Sequence, residues 1–159
     1  MQKNQTVRIR FVPSHGLLVS RAGHPVRTAT ERAVCEWLTE HGFEHRHSSE
    51  VYIIKAPTNG SPALFVPDIV LTEKRTMDGR TVVIETLHSF APKRGGLRAF
   101  AAFCKQYKDD FYTILVVRKS ILASVPRQPC NVRLSLENLD LLERKLEQEI
   151  ATEGAQRTT

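Results

Sequence analysis

The spacing of apolar residues changes along the chain and predicts alternating strands and helices. Residues 6–12 alternate polar and apolar side chains, and a short apolar stretch at 17–20 follows a Pro-Ser-His-Gly turn, which predicts an N-terminal strand pair. Thr28 and Glu31 then have the spacing of a capping box, and apolar residues at helical spacing follow them. This pattern predicts a helix over 28–41.

Strand patterns dominate the middle of the chain. Strands are predicted over 43–47, 50–55, 64–71, 80–87 and 111–117, with a further short one over 131–134. Pro67 lies inside one of these segments and cannot donate a ladder hydrogen bond, so it marks a bend, a bulge or an exposed backbone position. Asp78-Gly79 is a strong turn signal and predicts a hairpin between the strands on either side of it.

Two further helices complete the predicted order. One begins at Leu97 and ends near Asp109, and the other covers 136–150. A strand, a helix and a strand in succession favour a right-handed parallel unit. The predicted fold class is therefore α/β, with a mixed central sheet flanked by helices, an N-terminal strand pair and a C-terminal helix. We expect a single domain over 1–151 and a disordered tail over 152–159.

Composition is that of an ordinary globular protein. The chain has 159 residues, of which 41% are apolar and 25% charged. No apolar stretch is long enough for a membrane span and the N-terminus has no signal-peptide pattern, so we expect an intracellular, cytoplasmic protein without a membrane partner.

The spacing of the cysteines and histidines along the chain does not match a metal-binding motif. The three cysteines are an odd number without a zinc-type spacing, so neither a disulfide framework nor a structural zinc site is expected. Cys35 and Cys104 are predicted to be buried as small apolar residues in helices. His45 and His47 share one strand face and are predicted to be surface residues, whereas Trp37 is predicted to belong to the core.

Charge favours an anionic partner. The net charge is +6 and the isoelectric point is about 9.5, which favours binding to a nucleic acid, with DNA the expected one. The candidate phosphate-binding residues are basic and lie before the first helix or after Glu85: Arg27, Lys93, Arg94, Arg98, Lys105 and Lys108.

Three acidic residues carry the candidate chemistry. Glu31 opens the first helix, Asp68 follows Pro67, and Glu85 closes the apolar stretch 82–84. These acids can converge at one end of the sheet, although the capping box alone also explains Glu31. Carboxylate oxygens suit Mg²⁺ or Mn²⁺, which would activate a water for hydrolysis of a phosphodiester.

Residues 22–117 resemble the PD-(D/E)xK nuclease superfamily. The resemblance lies in Arg27-Thr28-Ala29-Thr30-Glu31 opening a helix, Pro67-Asp68 on a strand, Val83-Ile84-Glu85-Thr86-Leu87 on its partner, and a helix followed by Ile114-Leu115-Val116-Val117. It implies a restriction endonuclease-like core and a Mg²⁺- or Mn²⁺-dependent endodeoxyribonuclease. It also implies that Glu31, Asp68, Glu85 and the backbone carbonyl of Thr86 bind the metal.

One position departs from the superfamily pattern. Leu87 stands where the pattern has a lysine that positions or deprotonates the attacking water. Three residues are candidates to replace that lysine: His88, Lys93 and Lys105. Lys105 is favoured because the lysine moves to the second helix in some members of the superfamily. Strand alternation places His88 on the face opposite Glu85, unless a twist at the end of the strand brings it back.

Two other functions remain open. The loss of the motif lysine allows a catalytically inactive, nuclease-like module for DNA binding or assembly. Alternatively, Leu139, Leu142 and Leu146 of the last helix could face a partner or pack on the sheet. Nucleases of this size in the resembling superfamily often work as dimers, so the resemblance implies a homodimer or larger complex, with the second or the last helix as a candidate interface.

Overall fold

The chain forms an α/β structure around a five-stranded mixed sheet. This computed structural model describes residues 18–56, 58–89 and 96–149. The strands are β1 Leu18–Val19, β2 Pro25–Val26, β3 His45–His47, β4 Tyr52–Lys55, β5 Pro62–Phe65, β6 Ile69–Arg75, β7 Thr81–Leu87, β8 Phe111–Val117 and β9 Val132–Ser135. The helices are α1 Ala29–Glu40, α2 Gly96–Gln106, α3 Lys119–Leu122 and α4 Asp140–Glu149, and a 3₁₀ turn covers Leu136–Asn138.

The central sheet has the strand order β3-β6-β7-β8-β9. β3, β6 and β7 are antiparallel neighbours, whereas β7, β8 and β9 run parallel. Parallel pairing of β7 with β8 requires a crossover, which α2 supplies. All seven residues of β8 are buried, as expected for a strand covered on both faces. The prediction of a mixed sheet flanked by helices is confirmed.

The described residues contain an N-terminal strand pair, formed by β1 and β2. β1 pairs with β2, so the turn between Ser20 and His24 closes a short hairpin. The predicted strand over 6–12 lies outside the described residues, as does the predicted tail over 152–159.

The hairpin of β6 and β7 brings two candidate acids to one end of the sheet. Gly79 has a φ of +85°, and the N–H of Thr76 donates to the carbonyl of Arg80 at 3.0 Å, which closes the predicted turn. Ile69 lies opposite Ile84 in the ladder. Asp68 immediately precedes this pair and Glu85 follows it, so both acids lie at the same end of the hairpin.

The prediction of one strand over 64–71 is wrong. Residues 62–65 form β5, which pairs with β4 in a separate two-stranded sheet, and β6 begins at Ile69. Pro67 lies between the two strands and is buried. Because it has no N–H to donate, the chain can leave one sheet here and enter the other without losing a ladder bond.

The predicted helices are confirmed with changes at their ends. α1 differs from the predicted 28–41 by one residue at each end, and the N–H of Glu31 donates to the Thr28 hydroxyl at 3.1 Å, as a cap requires. α2 ends at Gln106 rather than near Asp109, because residues 107–110 form turns. The last predicted helix starts with a 3₁₀ turn before α4.

Two apolar clusters hold the helices to opposite faces of the sheet. On one face, Val34 and Leu38 of α1 and Leu142 and Leu146 of α4 are fully buried with residues of β6 to β8. On the other face, α2 and the β4–β5 hairpin pack through aromatic residues such as Phe103. The leucine stripe of α4 therefore packs on the sheet, and Trp37 is half-buried against the same core.

Within the described ranges, no helix has the length and apolar character that crossing a bilayer requires.

Candidate functional site: a buried carboxylate cluster

Asp68 is the centre of a hydrogen-bonded cluster at one end of the sheet. Its side chain is 9% exposed. One carboxylate oxygen, Oδ2, accepts from the N–H of Thr86 at 2.9 Å and from the Thr86 hydroxyl at 2.7 Å. Burial raises the pKa of Asp68, while the charge of Arg27 and the Thr86 bonds oppose the rise. β7 thus holds the carboxylate in a fixed orientation.

Glu85 lies on β7, beside Asp68, which immediately precedes β6. Its Oε2 accepts from the N–H of Asp68 at 3.2 Å, which links the two acids through the backbone. Burial and, next, the charge of Asp68 raise the pKa of Glu85 well above its usual range. An ionised Glu85 at this position therefore needs a cation close to it.

Glu31 completes the cluster from the first turn of α1. It is 1% exposed and both of its oxygens are engaged. Oε2 accepts from the backbone N–H of Arg27 at 2.8 Å, and Oε1 lies 2.8 Å from Nδ1 of His47. The hydrogen bond from the N–H of Arg27 reaches Glu31 from the residue before the Thr28 cap. Glu31 therefore supports the start of the helix and also contributes charge to the cluster.

Arg27 is the cation that faces these acids. Its guanidinium pairs with Asp68 Oδ1 and lies 4.0 Å from Glu31 Oε2. Burial lowers the pKa of Arg27, but the charges of Asp68, Glu31 and Glu85 outweigh that effect and raise it. The side chain is 50% exposed, so it reaches the cluster from the solvent side. The role of Arg27 in nucleic-acid binding stays a prediction.

A cleft of about 470 Å³ opens beside Glu85. Its lining includes Thr86, Leu87, His88 and Arg98. Nδ1 of His88 lies 3.0 Å from the hydroxyl of Thr30 on α1, which orients the imidazole at the edge of the cleft. Among the described residues, His88 is the candidate replacement for the motif lysine that lines this cleft.

The other two candidate replacements lie elsewhere. Lys105 is exposed on α2 and lines a neighbouring groove with Lys55, Arg98 and Gln106. Lys93 lies outside the described residues, as does Arg94. Arg98 lines both the cleft and the groove, so it connects the carboxylate cluster to the basic surface of α2. Lys108 is exposed in the turn that follows the helix.

A second cluster adjoins the first and could hold a metal ion. It consists of His24, Cys35, His45 and His47, whose potential ligand atoms all lie within 4.8 Å of one another. The expectation that His45 and His47 are surface residues is wrong, because His45 is 7% exposed and the side chain of His47 is 5% exposed. Burial lowers the pKa of His24 and of His45, which favours neutral imidazoles.

Sequence spacing shows only part of this second cluster. Two histidines two residues apart on a strand are visible in the sequence, but His24 and Cys35 come from a loop and a helix, which only the fold brings to β3. Cys35 and Cys104 are both buried, as predicted. Cys35 does not pack only against apolar groups, because two histidine nitrogens lie within 3.5 Å of its sulfur.

Comparison of the chain with protein-family models, with curated proteins and with solved structures gave no match.

Proposed function

We propose that this protein is a metal-dependent DNA endonuclease with a restriction endonuclease-like core of the PD-(D/E)xK type. The observation that carries the proposal is the convergence of Asp68, Glu85 and Glu31 at one end of the sheet. The element order supports it, since α1 is followed by the antiparallel strands β3, β6 and β7, by α2, and by the parallel strand β8.

The charges of the cluster favour a divalent cation. Three carboxylates face one guanidinium, and the hydrogen bond that Glu85 Oε2 accepts comes from the N–H of Asp68. Oxygen donors of this kind fit Mg²⁺ or Mn²⁺. Asp68, Glu85 and the backbone carbonyl of Thr86 would hold the ion, and Glu31 adds negative charge beside them. Once bound, the ion supplies Lewis-acid activation of a water and neutralises the phosphate in phosphodiester hydrolysis.

Arg27 and His88 have roles that follow from their positions. Arg27 is half exposed, so its guanidinium can turn from Asp68 toward the phosphate of a bound strand when a cation takes its place. His88 lines the cleft beside Glu85 and can accept the proton of the attacking water in place of the missing lysine. Arg98 and Lys105 continue this basic surface away from the cleft and would bind neighbouring phosphates.

Incubation of the purified protein with linear, circular and branched DNA tests the proposal. We expect cleavage with Mg²⁺ or Mn²⁺, none in EDTA, and none by Asp68→Asn. The matched control is Asp109→Asn, because Asp109 is exposed in the turn after α2 and lies outside the cluster. Failure of the wild type to cleave any of these substrates, or cleavage that survives Asp68→Asn, would contradict the proposal.

Replacement of His88 tests its role in proton transfer. His88→Ala should lower the cleavage rate by about 10²–10⁴-fold, the usual contribution of a general base. His41→Ala is the control, since His41 is exposed at the end of α1. Equal rates for the two variants would rule out His88 as the base.

A second candidate function is supported by the pairing of Arg27 with Asp68. A guanidinium already compensates the carboxylate, and Leu87 replaces the motif lysine, as expected for a nuclease-like module that binds DNA without cutting it. Such a module would bind DNA with an affinity that falls steeply with salt but does not change with Asp68→Asn or with Mg²⁺. Fluorescence anisotropy of the wild type and Asp68→Asn, each with and without Mg²⁺, separates this function from the first, and a salt series measures the phosphate contacts.

A further inference from the structure

Two ligand-atom distances in the second cluster are those expected around a tetrahedral zinc ion. Cys35 Sγ lies 3.3 Å from Nε2 of His45 and 3.5 Å from Nδ1 of His24. Bond lengths of about 2.3 Å to sulfur and about 2.0–2.1 Å to nitrogen place such ligand atoms about 3.5 Å apart around tetrahedral zinc. The positions of Cys35 and these two histidines therefore need little adjustment around an ion.

The three imidazole rings lie at nearly equal separations. The ring centroids of His24, His45 and His47 are 5.0, 5.4 and 5.1 Å apart, and each pair is edge-on. Three imidazoles bound through nitrogen to one tetrahedral zinc have centroids about 5 Å apart. The separations of the three rings therefore fit three imidazoles that bind one ion.

The hydrogen bonds of His45 and His47 leave one nitrogen of each ring available to a metal. Nδ1 of His45 lies 2.8 Å from the carbonyl of Phe43, so Nδ1 carries the proton and Nε2 presents its lone pair toward Cys35. Nε2 of His47 is buried and has no hydrogen-bond partner among the described residues. A buried nitrogen without a partner is costly, and a metal ion would satisfy it.

Glu31 supplies the carboxylate that commonly supports a histidine ligand. Its Oε1 lies 2.8 Å from Nδ1 of His47, on the side of the ring opposite Nε2. Carboxylates in this position fix the orientation of a ligating imidazole and make it more basic. The arrangement of Glu31, His47 and the cluster centre is thus the arrangement found around protein-bound zinc.

We propose that His24, Cys35, His45 and His47 bind a structural Zn²⁺ ion. Three imidazole nitrogens and one thiolate suit zinc rather than Mg²⁺, and four protein ligands leave no position open for a substrate. This inference does not rest on the proposed nuclease activity, since it concerns residues that the carboxylate chemistry does not use as ligands.

The ion would connect two short strands, β2 and β3, to the longer helix α1. His24 precedes the two-residue strand β2, Cys35 lies on α1, and His45 and His47 lie on the three-residue edge strand β3. Such short strands bury little apolar surface, so metal binding would contribute directly to their folding. The zinc ion would therefore fasten the β1–β2 hairpin and the edge strand β3 to α1 at Cys35.

Elemental analysis and native mass spectrometry of the full chain test the proposal. We expect one zinc per chain in the wild type, and loss of that zinc in Cys35→Ala and in His47→Ala. Cys104→Ala and His41→Ala are the matched controls and should keep it, because Cys104 is buried in α2 and His41 is exposed beyond α1. Asp68→Asn should also keep it, which distinguishes this site from the carboxylate cluster.

Two further measurements decide the matter if the ligand variants fail to fold. Wild-type protein reconstituted with Co²⁺ should show tetrahedral d–d bands and a thiolate-to-cobalt charge-transfer band. Glu31→Gln should keep the metal but bind it about 10–100-fold more weakly, as expected when the carboxylate behind a ligating histidine is lost. A folded wild type that carries no zinc and takes up no Co²⁺ would overturn the proposal, as would loss of zinc in Asp68→Asn.

Discussion

Arg27→Gln is the substitution that most directly tests the electrostatics of the carboxylate cluster. It removes the guanidinium that pairs with Asp68 and lies near Glu31, while the backbone N–H of Arg27 still donates to Glu31. The variant therefore leaves the start of α1 hydrogen-bonded and isolates the effect of the charge.

The expected magnitude follows from the exposure of the pair. Loss of one partner of a fully buried ion pair costs about 3–5 kcal/mol, whereas exposed pairs contribute about 0–1 kcal/mol. The side chain of Asp68 is 9% exposed and that of Arg27 is 50% exposed, so this pair lies between those limits. We expect Arg27→Gln to lower the free energy of unfolding by about 2 kcal/mol in EDTA.

Urea unfolding in EDTA and in Mg²⁺ measures this effect. The matched control is Arg21→Gln, because Arg21 lies 3.9 Å from Glu40 and the two side chains are 83% and 62% exposed. That control should cost at most about 1 kcal/mol. Mg²⁺ should stabilise Arg27→Gln more than the wild type, since the ion no longer competes with a guanidinium, and at 100 times its Kd it adds about 2.7 kcal/mol.

Two results would refute this reasoning. If Arg27→Gln is no less stable in EDTA than Arg21→Gln, the guanidinium does not compensate the acids. If Mg²⁺ stabilises the wild type and Arg27→Gln equally, the ion and the guanidinium do not compete for the same carboxylates.

The other bonds of the cluster give two further predictions. Thr86→Val removes the hydroxyl that donates to Asp68 at 2.7 Å and should cost about 1.5–3 kcal/mol by urea unfolding. The exposed Thr72→Val is the control, and equal costs would mean that the Thr86 hydroxyl contributes nothing. Glu85→Gln should stabilise the metal-free protein near pH 7, because the raised pKa of Glu85 means that its ionised form is disfavoured in the folded state. This gain in stability should vanish below the usual pKa of a glutamate, about 4.3, where Glu85 is protonated in both the folded and the unfolded state. A gain in melting temperature that stays constant as the pH falls would contradict this assignment.

The sequence predicts those elements whose signals are local. α1 matches within one residue at each end because Thr28 caps it and Gly42, with a φ of +72°, follows its end. β8 matches its predicted range of 111–117, since a continuous apolar stretch favours a strand buried on both faces. The segment 64–71 could not be divided correctly, because the sheet that each half joins depends on distant partners.

The same distinction applies to the functional residues. Asp68 and Glu85 meet because they flank a hairpin whose turn is visible in the sequence, so their proximity could be predicted. His24, Cys35 and His47 come from a loop, a helix and an edge strand, and no spacing rule connects them. The pairing of Arg27 with Asp68 was equally hidden, because it depends on how α1 docks against the central sheet.

Glu31 offers one oxygen to each of the two clusters, and this arrangement has a thermodynamic consequence. Oε1 faces His47, while Oε2 lies on the side of Arg27 and Asp68. A cation bound by His47 and a cation bound by Asp68 and Glu85 would polarise the same carboxylate. Linkage then requires that each ion change the affinity for the other by the same factor. Zinc occupancy would accordingly tune the affinity for Mg²⁺, although the two ions have no ligand atom in common.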